Sequence, residues 1–96
     1  MPGLPDLPLN QAEAILRARG DYAWALSGKQ RWTVMEIKEK LNAMDIAVSR
    51  DTVTRWVKTW PQTEDFGYLG LRASRADLIL FLAGRQRNAQ SSEADD

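Results

Sequence analysis

The stretch VSRDTVTRWVKTW, Val48 to Trp60, reads as a helix whose two faces do different work. Val53, Trp56, Val57 and Trp60 recur at i, i+3, i+4 and i+7 and form one apolar stripe. The opposite face carries Asp51, Thr54, Arg55 and Lys58, with Arg50 at its start. Ser49 is a good N-cap, because its hydroxyl can accept from the Thr52 N–H. Pro61 forbids much helix beyond Thr59, since proline lacks an N–H and its ring clashes with the preceding turn.

Upstream, TVMEIKEKL (Thr33 to Leu41) has the strongest start signal of the chain. Thr33 as N-cap and Glu36 at N3 make a capping box, and Trp32 before the cap can staple onto Ile37. Met35, Ile37, Leu41 and Met44 are expected to face inward, with Glu36 and Lys40 as an i, i+4 ion pair. NAMDIA, Asn42 to Ala47, connects this helix to the next. Asn10, followed by Glu13, is expected to cap a first helix with Ala12, Ile15 and Leu16 inward. Gly20 suits a left-handed stop, after which Asp21 would cap a short YAWALS helix, although Ile15, Tyr22 and Leu26 also suit one continuous helix. Gly28 to Arg31 reads as a loop.

Downstream, PQTED is expected as loop and FGYLGLRA, Phe66 to Ala73, as a small β-hairpin whose Gly67 and Gly70 keep the strands short. Phe66 and Tyr68 are expected in the core, although both could stack on bases. Ser74 and Asp77 suggest a capping box for the last helix, with Gly84 just past its end and Arg85 and Arg87 complementing its negative terminus. The run Leu78 to Leu82 covers more than one helix face, so some of it must meet the first helix or a second copy of the chain. We therefore expect a homodimer through Ile79, Leu80 and the N-terminal helix.

All eight aromatic residues lie between Tyr22 and Phe81, which locates the core. Residues 1–9 carry three of the four prolines and read as an extended lead-in, residues 10–88 as one domain, and residues 89–96 as a disordered acidic tail. The formal net charge of zero hides an asymmetry: from Asn10 to Asn88 there are 13 basic and 9 acidic residues, a balance of +4. The chain has no Cys and no His. That removes disulfides, the usual zinc sites and the Ser-His-Asp and Cys-His triads. Neither a phosphate-cradling glycine loop nor paired carboxylates on a cleft is evident, so no enzyme, cofactor, metal or small-molecule ligand is expected. No apolar run reaches membrane-spanning length and no signal peptide is evident, so the expected setting is cytoplasmic, in a prokaryote or on a phage or plasmid.

The order of TVMEIKEKL, VSRDTVTRWVK and LRASRADLILFLAG resembles the MerR-like and excisionase-like winged helix-turn-helix family, over about Trp32 to Arg85. NAMDIA replaces the tight turn usual there. In this the chain is similar to transposase-type helix-turn-helix domains, in which an I-x-V-S-R-x-T-V segment follows a similar helix. The resemblance implies a mainly α fold, a winged helix-turn-helix of four to five short helices with a small β-hairpin wing. It also implies double-stranded DNA as partner and a role as a small transcriptional regulator or excisionase-like factor of a mobile element.

A helix in the major groove reads bases with its N-terminal half. Arg50, Thr54 and Arg55 are the candidates for base edges, since arginine bonds bidentately to guanine. Asp51 either accepts from cytosine N4 or holds Arg55. Lys58 and Thr59 suit phosphates, as does Ser49 at the helix N-terminus. Arg72 and Arg75 on the wing would meet phosphate or the minor groove, and Lys29 and Arg31 would add backbone contacts. The alternative is a protein-interaction module that keeps the helix-turn-helix shape without reading DNA.

Overall fold

The three serine and threonine caps are where helices begin in the computed structural model, which describes residues 4–85. Thr33 opens α2 (Val34–Ala43): its Oγ1 accepts from the Glu36 N–H at 3.0 Å and the Glu36 carboxylate accepts from the Thr33 N–H at 2.9 Å, a complete capping box. Ser49 opens α3 (Arg50–Lys58), accepting from the Thr52 N–H at 3.1 Å. Ser74 opens α4 (Arg75–Gly84), accepting from the Asp77 N–H at 3.0 Å. The Asp77 carboxylate does not close a box on Ser74. It is buried and accepts from the Gln62 N–H at 2.8 Å, tying the exit of α3 to the start of α4.

The connection between α2 and α3 is longer than a tight turn because it contains a Schellman motif. Asp45 sits at φ 65, in the left-handed region, its N–H bonds to the Asn42 carbonyl and the Ile46 N–H reaches back to Leu41, both at 3.0 Å. With its amide turned so that both ends find a partner, Asn42 braces the turn from within, its nitrogen toward the Ile46 carbonyl at 2.9 Å and its oxygen toward Lys38 Nζ at 3.2 Å.

The first helix, α1 (Leu9–Arg19), starts two residues earlier than a cap at Asn10 would place it. Pro8, not Asn10, is its N-cap, and the Pro8 carbonyl accepts from Gln11 and Ala12. Gly20 ends it at φ 74, and a separate 3-10 turn follows at Ala23–Leu26, with Tyr22 rather than Asp21 at its cap position. The break is therefore real, and the two segments are not one helix.

Two strands lie where loops were expected. β1 (Arg31–Thr33) begins at the end of GKQR, and β2 (Glu64–Asp65) at the end of PQTED. Both pair antiparallel with β3 (Leu71–Ser74), in the order β1-β3-β2, with Trp32 opposite Ala73 and Glu64 opposite Arg72. β2, the 3-10 turn Gly67–Leu69 and β3 form the wing. Among the described residues the fold is thus mainly α, four helices with a three-stranded antiparallel sheet in a winged helix-turn-helix arrangement.

The core unites Leu16 of α1, Ile37 and Leu41 of α2, Val53 and Val57 of α3, and Leu78, Ile79 and Leu82 of α4. The apolar run of α4 is used on two sides: α1 packs along it, and Phe81 meets Trp56 and Trp60 at ring distances of 4.7 and 5.1 Å. Ile79 is fully covered within one chain, so it has no surface to offer a second copy; Leu80 is half-buried. Three further expectations are corrected. Met35 is 43% exposed, Phe66 48% and Tyr68 97%, so none of them is core. Gly84 is the last helical residue and not a left-handed cap. A Cβ there would stand 3.1 Å from the Pro5 ring, so any larger residue would press on the lead-in segment. Glu36 pairs with Lys29 rather than Lys40, at 3.2 Å. Arg87 and the tail 89–96 lie outside the described residues.

Candidate nucleic-acid interface

The stripe and the outer face of α3 separate as the spacing requires. Val53 and Val57 are fully buried, as is Thr52, whose Oγ1 accepts from the Ser49 hydroxyl at 3.0 Å. Ser49, Arg50, Asp51, Arg55, Lys58 and Thr59 are exposed, and Thr54 is half-buried with its hydroxyl donating to the Arg50 carbonyl at 2.8 Å. Thr59 likewise turns inward, to the Trp56 carbonyl at 2.7 Å. No ion pair among the described residues engages Arg50, Arg55 or Lys58, so of the two roles open to Asp51 the pairing with Arg55 is not formed. Asp51 in the first turn and Arg55 and Lys58 in the last suit the helix dipole. Three cations on one helical face therefore stand free in water.

An open groove runs beside the N-terminal half of this helix. Arg50 and Thr54 line one wall, Thr33, Val34 and Met35 at the start of α2 its end, and Leu69, Gly70, Leu71 and Arg72 of the wing the other wall. Arg72 folds back on its own wing, donating to the Leu69 carbonyl at 3.0 Å with its guanidinium over the Phe66 ring at 5.5 Å. It has no carboxylate partner among the described residues, and a guanidinium carries five donors, so it keeps N–H groups for an anion in the groove.

The other candidates have different employment. Arg75 points into the protein: Nε donates to the Ser27 carbonyl at 2.8 Å, Nη2 to Leu26 at 3.1 Å, and Nη1 pairs with Glu13 at 2.9 Å. It is a clamp between α4 and the α1 region, with about four-fifths of its side chain buried. Arg31 forks onto Glu64 across the sheet at 3.1 and 3.4 Å. Lys29 is paired to Glu36, stands over the Trp32 ring at 5.3 Å, and borders a separate groove with Trp24, Glu39 and Lys40. The Glu36 carboxyl is held below its ordinary value, first by the Thr33 N–H and further by Lys29, against the opposing effect of burial. The structure thus gathers Arg50, Thr54 and Arg72 around one groove, with Arg55 and Lys58 further along the same helix, and separates Arg75, Arg31 and Lys29 from it.

What sequence reasoning missed is the apolar tip of the wing. Tyr68 and Leu69 stand between Gly67 at φ 67 and Gly70 at φ 96, and their exposures are 97% and 59%. A signal was present: two apolar residues bracketed by glycines at a hairpin end have no core within reach. Chemically, the groove and helix face offer charge-assisted donors without a partner, and an apolar edge beside them. Among the described residues no group of acidic side chains can hold a metal ion, and no helix is long and apolar enough to cross a membrane. Compared with family models, curated proteins and solved structures, the chain finds no match.

Proposed function

We propose that this protein binds double-stranded DNA sequence-specifically, laying the outer face of α3 in the major groove, and acts as a small transcriptional regulator or as an excisionase-like factor of a mobile element. The observation that carries the proposal is the unengaged cationic face of α3, Arg50, Arg55 and Lys58, at the second position of a helix–turn–helix and flanked by a wing. Arg19, Arg31 and Arg75 are engaged by carbonyls or carboxylates; among the described residues these three have no such partner. Arg50 and Arg55 have the chemistry to read guanine, while Lys58 and Arg72 suit phosphates. One recognition helix supplies little contact area for tight binding, which favours two copies on a two-fold site. With Ile79 covered, such a pairing would use Leu80 and the outer side of α1. The interaction-module alternative loses one support, because Leu78 and Leu82, like Ile79, are absorbed by the core.

Selection from a randomised duplex pool at two salt concentrations, with wild type and Arg55→Ala in parallel, tests the proposal. The expected result is a definite motif that relaxes at one position in the variant, with the logarithmic salt slope smaller by about 1. No enrichment, and weak binding that vanishes for both proteins at the higher salt, overturns it.

A further inference from the structure

We propose that the wing tip, Tyr68 and Leu69, is an apolar wedge that enters the minor groove of duplex DNA and unstacks a base step there. The inference rests on the duplex-binding function above and adds to it a deformation of the DNA. Among the described residues the well-exposed large apolar side chains are Met35, Phe66, Tyr68 and Leu69, and all belong to the wing or border its groove. Scattered singly, such residues need no explanation, but gathered at one corner they mark a contact surface.

The tip is also held in place. Phe66 N–H bonds to the Gly70 carbonyl at 3.0 Å, Gly70 N–H to Gly67 at 2.9 Å, and Gly67 N–H to the Asp65 carboxylate at 2.9 Å. Tyr68 therefore projects from a closed turn, so the backbone that carries it is already ordered. Arg72 is drawn back to the Leu69 carbonyl, so the leading atoms of the wing are apolar rather than cationic. Leading apolar atoms suit insertion between base pairs, whereas an arginine would read the groove edge or its width.

Charge selects the occupant. Arg50 and Arg72 both line the groove, neither with a carboxylate partner among the described residues, and a sugar–phosphate strand is the complementary guest. The only carboxylate of the turn, Asp65, is engaged by the Gly67 N–H. A strand in that groove turns its major-groove side to α3 and its minor-groove side to the tip. The step beneath Tyr68 should accordingly be pyrimidine–purine, the step that opens most easily.

The test uses the duplex selected above, with 2-aminopurine at successive steps and fluorophores at both ends. Wild type, Tyr68→Phe, and the Tyr68→Ala, Leu69→Ala double variant are compared on the full chain. Both positions lie outside the core, and circular dichroism checks that the variants fold. Wild type and Tyr68→Phe should brighten one step and shorten the end-to-end distance. The double variant should bind about ten- to a hundredfold more weakly, with an unchanged salt slope and neither signal. If wild type binds but no step brightens, or the double variant keeps affinity and bend, the wedge is overturned and the duplex function stands. If sedimentation shows that the double variant loses self-association while keeping its DNA affinity, the tip covers a second copy and the wedge is again overturned. Wild type that binds no duplex overturns both.

Discussion

The arginines of α3 and those of the seam between α1 and α4 are the same residue in opposite employment. Arg50 and Arg55 stand exposed and unpaired. Arg75 spends its guanidinium on Glu13, Ser27 and Leu26, and Arg19 crosses to the end of α4, donating to the carbonyls of Leu82 at 3.3 Å, Ala83 at 3.3 Å and Arg85 at 2.8 Å. Those carbonyls lie at the negative end of a helix, which a cation both bonds and neutralises. A positive side chain near a recognition helix is therefore an interface candidate only after the fold's own demands on it are known.

The contrast is broken most decisively at Arg75. Arg75→Ala leaves Glu13 and two loop carbonyls without their donor, so we expect a loss of about 2–3 kcal/mol and a fall in Tm of roughly 10–20 °C. Duplex affinity, measured well below the new midpoint, should be unchanged. Arg55→Ala should do the reverse, shifting stability by less than about 0.5 kcal/mol while weakening duplex binding. An Arg75 variant with normal stability and weak binding would erase the distinction between the regions.

Arg19→Met keeps the aliphatic stem and removes the cap on α4, so urea unfolding should show a loss of about 1–2 kcal/mol. Smaller still is the effect at the turn before α3. Asp45→Gly relieves a side chain held at φ 65 and should be neutral to about 1 kcal/mol stabilising, whereas Asp45→Val should destabilise by at least about 1 kcal/mol. Neither should change the salt slope of binding, since the charged face of α3 is untouched. The smallest effect separates a paired lysine from an unpaired one. Glu36, paired to Lys29, has a folded pKa below the ordinary 4.5, so its contribution is present above that value and is lost as pH falls through the depressed one. Stability followed from pH 5 downward should decline less steeply in Glu36→Gln, whereas Lys58→Met should leave the slope unchanged.

How much of this was legible in the sequence follows from how far apart the partners are. Thr33, Ser49 and Ser74 announce their helices because a cap bonds three residues ahead, within the window that a sequence displays. β1 and β2 were hidden because strands of three and two residues have no periodicity of their own and exist only where β3 supplies a partner. Arg75 and Arg31 looked like free cations because Glu13 lies 62 residues away and Glu64 33 away. The α3 face was legible because nothing distant claims it. Tyr68 departs from the usual burial of an aromatic because a turn closed by two glycines holds it beyond reach of the core.

The seam has a kinetic consequence. Its bonds close a loop of more than sixty residues, from Arg19 to Leu82 and Glu13 to Arg75, whereas α2, its turn and α3 need contacts within a couple of dozen. Loop-closure entropy is met before such distant contacts can reward it. The helix–turn–helix should therefore assemble first and α1 dock last. In native hydrogen exchange, the amides of α1 should open at lower free energy than those of α2 and α3, leaving the helix–turn–helix intact while the molecule's own buckle comes undone.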